Sequence, residues 1–219
     1  MNDKIITIDG PSGVGKGTLA RKLAEHFNYD ILDSGSIYRL ASLHCYLQNS
    51  NLDSEQDVCE TLRSIDISFK TTKSGLLLFL GDKDVTNDIR TEQVGMLTSK
   101  IASYPKVRQM LHDKMLSFAS EQGLVADGRD MGTVVFPAAK FKFFLEASSE
   151  VRAQRRFDEL TSKGQDPDFE QIKSDIEQRD YQDRNRKTAP LLPADDAIII
   201  DTSNLSVDGV MEYTLSHIK

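Results

Sequence analysis

One glycine-rich stretch constrains this chain more than any other feature. Residues 4–9, KIITID, form a β-branched run that predicts a strand, and a helical pattern begins at Lys16 and continues to about Phe27. The stretch between them is GPSGVGKGT, from Gly10 to Thr18. Glycines let a backbone wrap closely around phosphates, and the amides of the loop and of the helix N-terminus then face the anion. The stretch therefore predicts a phosphate-binding loop in which Lys16 supplies a mobile cation.

The position after the lysine departs from the general pattern of such loops. That pattern has Ser or Thr directly after the lysine, where the hydroxyl binds Mg²⁺. Here Gly17 occupies the position and Thr18 follows it. Direct ligation of Mg²⁺ by Thr18 therefore stays open. The predicted phosphate-binding set is the loop itself: Gly10, Pro11, Ser12, Gly13, Val14, Gly15, Lys16, Gly17 and Thr18.

The rest of the chain alternates between strand and helix patterns, which is typical of a parallel sheet flanked by helices. We therefore expect an α/β fold of the P-loop NTPase type. Ser34 is the expected N-terminal cap of the second helix. Further strands are predicted at 29–33, 123–127, 141–145 and 197–201, and further helices at 34–48, 106–122, 149–161, 169–186 and 207–218.

Residues 62–100 have a different sequence pattern from the rest of the chain. An alternating run at 65–69, a turn signal at Thr72–Gly75 and an apolar run at 76–80 predict an antiparallel hairpin. We expect a single domain over 1–219, with a core at 1–61 and 101–219, an inserted, mainly antiparallel β lobe at about 62–100, and a short lid at about 161–168.

Charge and composition exclude several classes of protein. The net charge is −7, and an acidic chain is a poor prior for a nucleic-acid binder. The two cysteines, Cys45 and Cys59, have no metal-binding spacing and are too few for a disulfide framework, which favours a reducing compartment. No apolar run approaches the ~20 residues of a membrane span. We expect a cytoplasmic protein with neither a nucleic-acid nor a membrane partner.

Two polar clusters follow predicted strands. DSGSIYR ends at Arg39, and DGRDMGT begins at Asp127. Ligands of open α/β sheets bind beyond the carboxyl ends of the strands. A carboxylate at such a strand end suits Mg²⁺ and its water shell, so Asp127 is the candidate metal-binding residue.

A third cluster, RDYQDRNR, lies on a predicted helix. Arg179, Asp183 and Arg186 are spaced i, i+4 and i+7 and therefore share a helical face. Arg152 and Arg156 share a face in the same way. Taken alone, each of these runs also fits a solvated ion-pair face, and DGRDMGT also fits a polar turn.

Four segments in this order, GPSGVGKGT, LDSGSIYR, VADGRDMGTVVFP and RDYQDRNR, resemble the bacterial-type cytidylate kinases, which are nucleoside monophosphate kinases of the P-loop superfamily. The resemblance covers essentially the whole chain, including the lobe near 62–100. It implies an enzyme that transfers the γ-phosphoryl group of ATP to CMP or dCMP. It also implies Mg²⁺ as cofactor and a monomer.

The resemblance further implies roles for single residues. Ser99, Arg108 and Asp130 would read the cytosine, whose N4 amino group can donate to a carboxylate. Arg39, Arg129 and Arg186 would hold the acceptor phosphate, and Asp183 with Arg179 would contact the sugar. The implied catalytic residues are Lys16, Arg129 and Arg186. The ATP-binding residues are those of the phosphate loop together with Arg156. The CMP-binding residues are Ser34, Tyr38, Arg39, Ser99, Arg108, Arg129, Asp130, Arg179, Asp183 and Arg186.

Two other functions remain open. A nucleotide-dependent switch would explain the phosphate loop, but it would leave the arginines of the acceptor side without a role and would favour Ser or Thr at position 17. A P-loop kinase for a different small acceptor, such as shikimate or another monophosphate, would use the same loop. A panel of acceptors distinguishes these functions.

Overall fold

The computed structural model describes residues 2–72 and 75–218, which form two compact units. The first unit runs to Asp30 and resumes at Glu121, and the second spans Ile31–Ser120. The described residues contain no helix that is both long and apolar enough to cross a membrane.

A parallel sheet forms the centre of the first unit. β1 pairs in parallel with β6 and β7, and β7 pairs in parallel with β8. The sheet has five strands in the order β2-β6-β1-β7-β8, of which the edge strand β2 lies mostly in the second unit. Every residue of β1 is buried, as expected of a central strand covered on both faces. The strands are β1 Ile5–Asp9, β2 Asp30–Asp33, β6 Leu124–Gly128, β7 Phe141–Glu146 and β8 Ile198–Asp201.

Four α-helices belong to the first unit. Phe157 and Phe169 stack edge to face, and they help to pack α6 against α7. No residue of α7 is buried, so polar contacts to α6 also hold it in place, among them Lys173 with Glu150. The helices are α1 Lys16–Phe27, α6 Ser149–Ser162, α7 Phe169–Asn185 and α8 Val207–His217. A short π-helical segment, Met131–Val135, follows β6 and is called the π turn below.

Among its described residues, the second unit contains a three-stranded antiparallel sheet of order β3-β4-β5 and four α-helices. The strands are β3 Ile67–Thr72, β4 Gly75–Leu80 and β5 Lys83–Asp84. The helices are α2 Ser34–Leu47, α3 Glu55–Leu62, α4 Glu92–Ile101 and α5 Pro105–Leu116. The predicted α/β class, with a parallel sheet and a small antiparallel sheet, is confirmed. Of the turn predicted at Thr72–Gly75, Lys73 and Ser74 lie outside the described residues.

Three local predictions were wrong. Asp33, not Ser34, caps α2, because its carboxylate accepts the Ser36 amide at 3.1 Å. The helix predicted at 106–122 ends at Leu116 with Ser117 as its C-cap, and Phe118 beyond it packs against Phe69 of β3. Helices α3 and α4 were not predicted; each is capped by a hydroxyl, from Ser54 and Thr91 respectively.

Candidate functional site

The glycine-rich loop connects the last residue of β1 to the first residue of α1, as its sequence predicts. Gly10 has φ +145°, and a Cβ there would lie 2.2 Å from the Leu145 carbonyl oxygen of β7, so only glycine fits. Gly15 precedes α1 with no side-chain cap, which leaves the first amides of the helix for another acceptor. An anion is the ligand that such a helix start favours.

Lys16 is buried at the start of α1. Its Nζ donates to the Pro11 carbonyl at 2.8 Å, which folds the side chain back over the loop. The same Nζ lies 4.0 Å from Oδ1 of Asp127 on β6. The ammonium group is thereby held between the loop and a carboxylate, in a position to meet a bound phosphate.

The glycine after the lysine lies close to a carboxylate. A Cβ at Gly17 would lie 3.3 Å from Oδ2 of Asp127, a close approach that the carboxylate would relieve by a shift of a few tenths of an ångström. Carboxylate oxygens and retained water are what Mg²⁺ uses in such sites, so Asp127 fits a metal held through water. Thr18, one position further, lines a cavity beside the loop.

That cavity has a volume of about 370 Å³, within the usual range of small-molecule sites. It lies between the phosphate loop and the segment that joins β8 to α8. Most of its wall is apolar, and the Arg155 side chain and three hydroxyl groups add polar edges. Its lining residues are Val14, Gly15, Thr18, Leu19, Arg155, Thr202, Leu205, Ser206, Val207 and Val210.

Three arginines of α6 differ in what they contact. Arg152 is buried and donates to the Ser12 carbonyl at 3.1 Å, and Arg155 donates to the Thr202 carbonyl at 2.6 Å. Arg156, the arginine assigned to ATP from sequence, pairs with Glu159 on its own helix at 2.7 Å. The assignment of Arg156 to ATP stays a prediction. The sequence analysis did not single out Arg155, although its i, i+3 spacing from Arg152 also places it on a shared helical face.

A charged cluster joins the end of β6 to the end of α7. Arg129 pairs through Nε with Asp183, and both side chains are largely buried. Nη2 of Arg186 lies 3.3 Å from Oδ2 of Asp130. Nη2 of Arg129 is buried and has no hydrogen-bond partner among the residues that the structure describes. A buried donor of this kind normally finds an acceptor, so the cluster can take an anionic oxygen.

The helical spacing predicted for the α7 cluster holds in part. Asp183 lies on the last turns of α7, but the helix ends at Asn185 and Arg186 adopts an extended backbone, φ −65° and ψ 140°. Arg179 is exposed. Asp180, for which no role was predicted, forms a two-point contact with Arg152 at 2.5 and 3.1 Å.

The predicted residues of the second unit gather around α2. The Arg39 guanidinium donates to the Ile89 carbonyl at 2.8 Å, and its burial lowers its pKa. Arg108 lies 5.8 Å from the centre of the Tyr38 ring, within cation–π distance. Ser99 is on α4, where its hydroxyl donates to the Gly95 carbonyl one turn earlier. Ser34 is buried at the first position of α2.

A glycine-rich loop at the end of the middle strand of a parallel sheet, with a buried lysine and a cavity beside it, defines a P-loop nucleotide-binding protein. A solved structure of an uncharacterized protein from Eubacterium ventriosum shares this fold, with TM-score 0.51 at 13% identity over 98% of this chain and 97% of that chain.

Sequence relatives identify the family. A family model described as Cytidylate kinase matches residues 6–219. The cytidylate kinase of Saccharophagus degradans (strain 2-40) is 52% identical over 212 residues, which are 96% of this chain and 95% of that protein. Cytidylate kinase 1 of Haemophilus influenzae is 47% identical over 215 residues, 98% of this chain and 93% of that protein. The chain belongs to the cytidylate kinase family.

Proposed function

We propose that this protein transfers the γ-phosphoryl group of ATP to CMP or dCMP, giving ADP and CDP or dCDP. The observation that carries the proposal is the family match over residues 6–219, which includes the phosphate loop and the charged cluster. Mg²⁺ as cofactor, a monomeric state and a cytoplasmic location stay predictions from sequence.

The donor side rests on the loop and the cavity beside it. The amides of the loop and of the α1 N-terminus would hold the ATP phosphates, with Lys16 on the transferring group. The apolar cavity next to Val14 and Thr18 suits a flat base in size and lining. Asp127 would hold Mg²⁺ through water, and the ion would supply neutralisation of the phosphate charge.

The acceptor side rests on the charged cluster. Arg129 is held by Asp183, and its buried Nη2, which has no partner among the described residues, would donate to a phosphate oxygen. Arg186 lies beside Asp130 and adds a second cation. The contacts of Ser34, Tyr38, Arg39, Ser99, Arg108 and Arg179 with CMP stay predictions.

The reaction depends on positioning of the nucleotides and stabilisation of charge more than on proton transfer. The acceptor phosphate is already an anionic nucleophile, so no side chain has to act as a strong base. Lys16 and the arginines would stabilise the charge that spreads over the moving phosphoryl group. In-line alignment of the two nucleotides would supply much of the remaining rate.

A panel of acceptors tests this function. We expect rapid ADP release with MgATP and CMP or dCMP, and far slower release with UMP, AMP or shikimate. The measurement is a coupled assay of ADP at saturating MgATP, with a sample lacking acceptor to give the rate of hydrolysis. Equal rates with and without CMP would contradict a CMP kinase, and preference for shikimate or AMP would move the protein to another acceptor.

The choice of base is expected to depend on Asp130. If its carboxylate accepts the N4 amino group of cytosine, Asp130→Asn loses a hydrogen bond to a charged group, which costs roughly 1.5–3 kcal/mol, or about 10- to 150-fold in kcat/KM for CMP. Uracil presents an acceptor at position 4, so activity with UMP should fall much less. The measurement is kcat/KM for both acceptors in the wild type and the variant.

The contact between Asp130 and Arg186 explains how the variant could lose activity with both acceptors. An equal fall for CMP and UMP would show that Asp130 serves by orienting Arg186 and the phosphate, not by reading the base. Asp183→Asn is the matched comparison, because it changes the neighbouring ion pair in the same cluster and should affect both acceptors alike.

A further inference from the structure

The last residue of β1, Asp9, holds the segment that follows β6. Asp9 is 5% exposed. Its Oδ1 accepts the Met131 amide at 2.8 Å and its Oδ2 accepts the Gly132 amide at 2.7 Å. An ionised carboxylate can accept both amides at once, one on each oxygen. A residue next to the phosphate loop therefore fixes a turn 122 residues away in the sequence.

The two amides begin the π turn, where they have no helical partner of their own. The turn is also packed directly on β1. A Cβ at Gly132 would lie 2.9 Å from the Thr7 hydroxyl and 3.3 Å from Oδ2 of Asp9. A single methyl group at this position would therefore push the turn away from Asp9.

Arg129 and Asp130 lie immediately before the amides that Asp9 holds. On their other side β6 pairs with β1 up to Gly128, in register with Asp9 itself. The backbone of these two residues is thus fixed at both ends by the same strand. Their side chains then meet Asp183 and Arg186 in the charged cluster.

We propose that Asp9 is a positioning residue of the phosphoryl-transfer reaction, because its carboxylate fixes the π turn and so aims Arg129 and Asp130 at the acceptor nucleotide. The proposal rests on the proposed function. The loop that would hold ATP starts at the next residue but is held by its own contacts, such as that of Lys16 with Pro11. Loss of the Asp9 carboxylate should therefore affect the acceptor far more than the donor.

The charge on Asp9 works against stability, which separates a positioning role from a structural one. Burial raises the pKa of Asp9 from 3.8 to about 6; its two amide bonds and Lys16 oppose the rise, and Asp130 adds to it. The folded state therefore binds the proton more tightly than the unfolded state, and stability falls as pH rises from about 4 through 6. A neutral residue at this position would not show that dependence on pH.

The test is the variant Asp9→Asn in the full-length protein. Because small misplacements of binding groups cost about 10²-fold, we expect kcat/KM for CMP to fall by that order while KM for ATP changes by less than about threefold. The melting temperature of the variant relative to that of the wild type should rise between pH ~4 and ~7.5, because only the wild type ionises a buried group in that range. Amide hydrogen exchange at Met131 and Gly132 should become faster.

Two further variants complete the design. Gly132→Ala disturbs the same contact from the side of the turn. It should likewise lower kcat/KM for CMP far more than it changes KM for ATP. Asp57→Asn removes a carboxylate that also accepts a backbone amide, from Asn51 at 2.6 Å, and should leave both substrates unaffected.

Four results would overturn the inference. They are unchanged turnover of CMP in Asp9→Asn, an equal loss for CMP and ATP, a loss of stability that does not depend on pH, or normal activity of Gly132→Ala. A wild type that fails to phosphorylate CMP at all would instead contradict the proposed function.

Discussion

Replacing Lys16 by alanine is expected to lower kcat by on the order of 10²–10³-fold, the usual effect of removing one fixed donor to a transition-state oxyanion. Lys16 is buried at the start of α1, with Nζ 2.8 Å from the Pro11 carbonyl and 4.0 Å from Asp127. The phosphate loop contains no second lysine that could replace it. The measurement is a coupled assay with CMP at saturating MgATP, with circular dichroism to verify folding.

Lys22→Ala is the matched control for this variant. Lys22 lies on the same helix, but its Nζ pairs with Asp208 at 2.9 Å on the surface. Exposed pairs contribute about 0–1 kcal/mol, so activity and stability should change little. A folded Lys16→Ala protein with near-normal kcat would remove Lys16 from the phosphoryl-transfer step.

The second large effect is expected at Arg129. Arg129→Lys keeps the charge but loses the planar fork that can hold Asp183 and a phosphate oxygen together. We expect kcat/KM for CMP to fall by about 10²-fold or more, since truncating a buried, hydrogen-bonded charge pair commonly costs 2–5 kcal/mol. KM for ATP should change little. Steady-state kinetics with each substrate varied in turn would measure both values.

Arg184→Lys provides the control, because Arg184 is exposed on the same helix as Asp183. It should retain the activity of the wild type. If Arg129→Lys raised KM for ATP as much as KM for CMP, Arg129 would belong to the scaffold of both sites. If Arg129→Lys were fully active, the charged cluster would not hold the acceptor phosphate.

The phosphate loop shows which structural features the local sequence alone can predict. The run 4–9, the glycines and the helical pattern from Lys16 place strand, loop and helix within a few residues of their observed bounds. Each of these signals acts over one or two turns of chain, so no distant partner is needed to interpret it. The same holds for β7, where an apolar run predicts a buried strand.

The charged cluster was only partly predictable. Spacing places Asp183 on a helix and Arg129 after a strand, but it does not pair them. The contact between Arg186 and Asp130 depends on how α7 ends, because Arg186 lies in an extended segment that the helical pattern did not predict. The pattern also favoured Arg156 over Arg155, because periodicity indicates a shared face without indicating what that face meets.

The sequence by itself determined the parallel α/β class, the phosphate loop and the residue types of the acceptor side, because these follow from local periodicity, glycine conformation and the motifs of the family. Only the tertiary structure decided that Asp127 lies against Gly17, and that Asp9 holds the turn at Met131. Both contacts join residues more than a hundred positions apart. They exist because β1 and β6 are neighbours in the sheet, and strand order is a property of packing that the spacing of residues along the chain does not contain.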